Sequence, residues 1–147
     1  MTQRVDLAAL RDRLAVDDLI SGYAAAVDDG DRSAYRALFT PDGRADHRGA
    51  GGIEGPAAAV ADWLAETADR FPVRPHLIVN RRFHFPSAGG FPERGDLAEV
   101  RADYVSPLPH GAGEGVAGGR CAFTALRTDD GWRLRSVVVE ERWRRPH

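Results

Sequence analysis

The last half of the chain carries four strand-like runs, "PHLIVNRRFHF", "DLAEVRADYV", "GGRCAFTALR" and "WRLRSVVVEERW", joined only by turn-rich segments. The connections "SAGGFPERGD", "PLPHGAGEG" and "TDDG" are too short for the crossover helix that a parallel pair requires. Consecutive runs must therefore pair antiparallel. In "DLAEVRADYV", Ala98, Val100, Ala102 and Tyr104 oppose Glu99, Arg101 and Asp103, so one face of the sheet is apolar and needs a cover.

The cover is written in the first half. From Asp6 to Asp28 the pattern is helical, with Leu7, Leu10 and Leu14 on one stripe and Val16, Leu19, Ile20, Tyr23 and Val27 on another. The second stripe should line the core; the first suggests contact with an oligomer partner or a separate part of the core. Gly30 is the expected left-handed stop. "DRSAYRALF" reads as a short second helix with Tyr35, Leu38 and Phe39 inward, and "TPDG" should break it before a short strand near Arg44 to Arg48. "GAGGIEG" is a loop, and Pro56 sits where a first helical residue should be. The helix it opens places Val60, Trp63, Leu64 and Phe71 on one face. The expected fold is α+β: three helices against one face of an antiparallel sheet, in a single domain spanning 1–147.

Composition narrows the functions. The formal net charge of -2, with acids and bases interspersed, offers no basic stripe to nucleic acid and no polybasic patch to a membrane. No apolar run approaches the roughly 20 residues of a membrane span, and "MTQRVDLAALRDRL" is too charged for a signal peptide, so a cytoplasmic protein is expected. All 20 basic residues are arginine, which removes Schiff-base chemistry, a lysine base and a P-loop. Cys121 is the only cysteine, excluding an internal disulfide, and on an apolar strand it reads as a small core residue.

The residues that could carry chemistry are Tyr23, Asp28, Asp46 with His47, His76, Asn80, His84, His110 and Cys121. The histidines lack the tight spacing of a metal site, and no serine-nucleophile motif occurs. "YAAAVDDGD" poses a puzzle, because a helix C-terminus carries roughly half a negative charge and disfavours carboxylates. Asp29 and Asp31 read as solvated. Asp28 lies about 140° round the helix from Tyr23, a position that spacing alone would also leave in water.

"LRDRLAVDDLISGYAAAVDDGDRSAYRALFTPDG", "GIEG" before a helix, and "PHLIVN" together resemble the SnoaL-like branch of the nuclear-transport-factor-like superfamily. Within it the chain is most similar to the scytalone dehydratase, bile acid 7α-dehydratase and hexachlorocyclohexane dehydrochlorinase group. The resemblance implies a cone: a strongly curved antiparallel sheet wrapped on the three helices, enclosing an apolar pocket. It maps a first-helix tyrosine and aspartate onto Tyr23 and Asp28, and a strand histidine and asparagine onto His76 and Asn80. It implies that His76 is a base, Asp28 its orienter, Tyr23 an acid or hydrogen-bond donor and Asn80 a positioning group, with no cofactor. Trp63, Phe39 and Tyr104 are candidate pocket walls.

An arginine on the last strands is also implied. Its aligned position falls near Val137, with Arg120 or Arg142 as substitutes if inward, while Tyr104 and His84 are candidates for a second pocket tyrosine and histidine. The expected activity is a cofactor-independent elimination of the dehydratase type on a small, apolar, cyclic hydroxylated or carbonyl substrate. Two alternatives stay open. One is ketosteroid-isomerase-like or polyketide-cyclase-like proton transfer by Asp46; the other is a non-catalytic small-molecule binding protein. A homo-oligomer, dimer or trimer, is expected from the stripe of Leu7, Leu10 and Leu14 together with part of the sheet's convex surface.

Overall fold

The computed structural model of the chain describes residues 6–70, 75–86, 96–107 and 115–146. His110, Phe71 and most of the "SAGGFPERGD" and "PLPHGAGEG" turns lie outside them. Helix α1 (Leu7–Asp29) begins where Asp6 accepts the N–H groups of Ala8 and Ala9, and ends at Gly30, whose φ of 61° closes it in the left-handed region. Asp31 is exposed, as the sequence leaves it, and from there caps α2 (Arg32–Ala37) by accepting from Ala34 N–H. Helix α3 spans Ala57–Arg70.

The strands are β1 (Phe39–Gly49), β2 (Glu54–Pro56), β3 (Leu77–His84), β4 (Leu97–Pro107), β5 (Gly115–Thr128) and β6 (Gly131–Pro146). They form one sheet in the order β2-β1-β6-β5-β4-β3. The fold is α+β, three helices on the concave face of a cone-shaped, mostly antiparallel sheet, as expected. Three details differ. Strand β1 is longer than the expected Arg44 to Arg48, because Phe39 already pairs with Leu134 and a register shift absorbs "TPDG". Phe39 thus starts a strand instead of ending a helix. The "GIEG" loop contains β2, whose last residue is Pro56, so α3 starts one residue later. Lastly, β1 runs parallel to β6, a pairing between chain segments too far apart for local pattern to reveal.

The second stripe of α1 is buried at Val16, Leu19, Ile20 and Tyr23, against Val60 and Leu64 of α3 and the inward residues of the sheet. Strand β4 buries the four residues its alternation selects, Ala98, Val100, Ala102 and Tyr104. The other α1 stripe is exposed, Leu7 at 68% and Leu14 at 56%. Among the described residues no helix is long and apolar enough to cross a membrane.

Irregularities bend this sheet. Between Gly118/Gly119 on β5 and Trp143/Glu141 on β6 the register shifts, β6 holding one extra residue. A Cβ on Gly119 would lie 1.9 Å from the Glu140 carbonyl oxygen, so this crossing tolerates only glycine. Gly119→Ala should lower unfolding free energy by about 2 kcal/mol. Gly55→Ala, whose Cβ would meet nothing closer than 4.0 Å, should stay near wild type in the same urea titration.

Candidate active site

At one end of the cone α1, α3 and the sheet leave a cavity of about 130 Å³. Its apolar walls include Val27, Trp63, Leu64, Ile78, Ala117 and Val139, and its polar groups come from Tyr23, Asp28, His47, His76, Tyr104, Glu141 and Arg144.

Asp28 and His76 meet across 48 residues of sequence. The Asp28 carboxylate accepts the His76 backbone N–H at 3.1 Å to each oxygen, and its Oδ1 lies 2.5 Å from His76 Nδ1. A carboxylate can only accept, so the imidazole proton sits on Nδ1 and leaves Nε2 as the free ring nitrogen. Both side chains are about one quarter exposed, 23% and 27%, and both line the cavity. Asp28 therefore sits in the wrong field of its helix because it serves a partner on β3's leading edge.

Tyr23 is 4% exposed, packed edge-on against Phe123 and beside Tyr35. Burial pushes its hydroxyl well above the ordinary phenol range, with Tyr35 adding to the effect, so it keeps its proton. Its oxygen lies 3.1 Å from His47 Nε2. His47 is itself buried; desolvation, and then repulsion from His76 when that ring is protonated, lower its pKa to about 4. It is neutral at pH 7.

Several expected residues are elsewhere. On β1, Ala45 and His47 point inward, so Asp46 points out. Arg48 grips Asp46 through Nε at 3.0 Å, Nη2 at 2.9 Å and its backbone N–H, holding the acid down to about 2. Asp46 is off the cavity and cannot act there as a base. Asn80 is also outside: with φ of 52° it forms the bulge in β3, is exposed, and donates to Asp103 at 3.0 Å. Phe39 is ordinary core, its ring 5.0 Å from that of Tyr35, and does not reach the cavity. His84 is exposed on β3. Trp63 and Tyr104 do line the cavity.

The arginine question resolves through the β6 bulge. Val137 is core, Arg120 faces Asp103 at 3.6 Å, and Arg142 faces Glu140 at 3.5 Å, none of them on the cavity. Glu141 follows Val137 and Val139 on the cavity side by plain alternation, and because β6 carries its extra residue after Glu141, Ala117 pairs with Arg144, which brings that side chain to the cavity side as well. Arg144 binds Glu141 through two N–H groups at 2.9 and 3.2 Å. Strict alternation would have chosen Trp143, whose indole instead covers Gly118.

Sequence reasoning named His47 only beside Asp46; the alternation of "RADHRG" was the signal that it faces inward. Cys121 lies on the wall with its thiol pushed up to about 12 by burial, so it stays protonated. Among the described residues no group of three or more His, Cys, Asp or Glu could hold a metal.

A family model described as a SnoaL-like domain matches residues 8–138. A protein of Mycobacterium tuberculosis, the uncharacterized Rv2910c, is 30% identical over 136 residues, covering 88% of this chain and 85% of its own. The hexachlorocyclohexane dehydrochlorinase LinA-type3 of Novosphingobium barchaimii superposes with a TM-score of 0.80 at 19% identity, covering 97% of this chain and 94% of its own. A Novosphingobium aromaticivorans protein named for scytalone dehydratase gives 0.75 at 16%, covering 95% and 89%. At these identities the two structures speak for the fold alone.

The buried His47 makes a pH prediction. Its folded pKa of about 4 lies below the unfolded value near 6.5, so between those values the unfolded chain binds more protons. The contribution is intact above the unfolded value and lost as pH falls toward 4. Between pH 7 and pH 5 the group should remove about 2 kcal/mol of stability, and His47→Gln should flatten that slope in urea titrations at the two pH values.

Proposed function

Given that the chain belongs to the SnoaL-like family and has its nuclear-transport-factor-like fold, we propose that it is a cofactor-independent lyase of the dehydratase type. The observation that carries this reading is the Asp28–His76 contact on the cavity wall. With Nδ1–H held by a carboxylate, Nε2 is the base, and the imidazolium formed when it takes a proton is stabilised in place.

The cavity suits a small substrate. Its volume of about 130 Å³ is close to the roughly 150 Å³ that accommodates benzene in an engineered protein core, so one six-membered ring fits. In the proposed reaction His76 Nε2 removes a proton next to the carbonyl of a cyclic β-hydroxy ketone. The resulting enolate re-forms its carbonyl as the β-hydroxyl leaves. Tyr23, which keeps its proton, donates a hydrogen bond to the departing oxygen, and the proton that makes it water returns from His76. Trp63 and Tyr104 act as walls. Asp46, turned outward and bound by Arg48, supports neither the isomerase nor the cyclase alternative. A carrier would need only the cavity; the oriented imidazole favours catalysis.

The test is turnover of monocyclic β-hydroxy ketones, 3-hydroxycyclohexanone first, followed by the ultraviolet absorbance of the enone. Wild type should form enone; His76→Ala and Asp28→Ala should each lower the rate by about 10²- to 10⁴-fold, and Asp46→Asn should leave it unchanged. Binding without turnover across such a series would make the protein a carrier.

A further inference from the structure

His47 is a histidine that the elimination itself does not use. Its backbone is pinned at the end of β1, where its N–H donates to Ile53 at 2.8 Å and its carbonyl accepts from Gly52 at 2.8 Å. Its ring is held between two others: that of Tyr23 lies 6.1 Å away with planes 27° apart, that of Trp63 6.4 Å away. Gly52 has no room for a Cβ, which would come within 2.7 Å of His47 Cβ and 2.8 Å of the Trp63 ring. The imidazole is thus clamped with Nε2 against the Tyr23 hydroxyl, in surroundings where an unpaired polar group would be costly.

Between that nitrogen and that oxygen there is place for one proton. If Tyr23 O–H points at Nε2, its single proton is engaged by His47 and the hydroxyl offers a substrate only lone pairs. If Nε2–H points at the tyrosine oxygen, the hydroxyl proton is free to face the cavity. We propose that His47 is a positioning residue: as the Nε2–H tautomer it donates to the Tyr23 oxygen and turns the Tyr23 O–H toward the substrate. This rests on the reading of Tyr23 as hydrogen-bond donor to the departing oxygen. It gives a physical reason for a buried imidazole on β1 in place of an aliphatic residue, and Nε2–H is also the tautomer that an imidazole side chain prefers in water. His47 acts through Tyr23 and transfers no proton itself.

The test is ¹⁵N–¹H long-range correlation NMR on the intact chain with labelled histidine at pH 7. His47 should show a protonated Nε2 and a bare Nδ1. In Tyr23→Phe, which removes the acceptor oxygen and keeps the ring, the His47 Nε2–H proton should move upfield as its hydrogen bond is lost. A protonated Nδ1 with bare Nε2, two protonated nitrogens, or an Nε2–H shift that is the same in wild type and Tyr23→Phe would each overturn the proposal. The same spectrum reads His76, whose contact with Asp28 requires the opposite tautomer, Nδ1–H. A wrong tautomer at His76 alone defeats the base reading; a wrong tautomer at His47 alone defeats this one.

Discussion

The contact between Asp28 and His76 sets the terms for the rest of the site. A carboxylate in the last turn of a helix opposes the dipole at a cost of about 0.3–1 kcal/mol. Hydrogen bonds to a charged group return about 1.5–3 kcal/mol each, and Asp28 accepts two N–H groups from the same residue. The contact therefore wins, and it does two things at once. It fastens the end of α1 to the chain entering β3, and it fixes which imidazole nitrogen carries the proton. The cavity opens between those two elements, so the group that closes the wall is also the one that orients the base.

The two histidines of the cavity differ in environment as they differ in role. His76 is partly open and faces a carboxylate; His47 is buried and faces a phenol. Burial keeps His47 neutral, and burial likewise keeps Tyr23 protonated. Only one imidazole is thus equipped to hold the positive charge formed on taking a proton. Arg144 and Glu141 add an ion pair to the cavity lining, which contributes no net charge.

Much of this was readable from the residues, and most of the differences are non-local. Local signals worked: Asp6 and Gly30 bound α1, and the alternation of β4 names its buried side chains. The resemblance singled out Tyr23, Asp28 and His76, and the fold brings Asp28 and His76 into contact. What the sequence hid was register. The extra residue in β6 moves Arg144 to the cavity side, and the bulge in β3 turns Asn80 to solvent, although counting along either strand suggests otherwise. The parallel β1–β6 pair was hidden because its partners are remote in sequence. Asp46 and His47 are different: the alternation of "RADHRG" by itself shows that His47 shares the inward face with Ala45 and that Asp46 does not.

The central claim is that the imidazole oriented by Asp28 removes a proton from carbon in this cavity. The most direct measurement is deuterium incorporation from D₂O next to the carbonyl of cyclohexanone, which isolates proton removal because that ketone has nothing to eliminate. Exchange above the buffer rate with wild type, falling by about 10²-fold or more in Asp28→Ala, is the predicted result. Exchange at the buffer rate with wild type, or equal exchange in the two proteins, would contradict it.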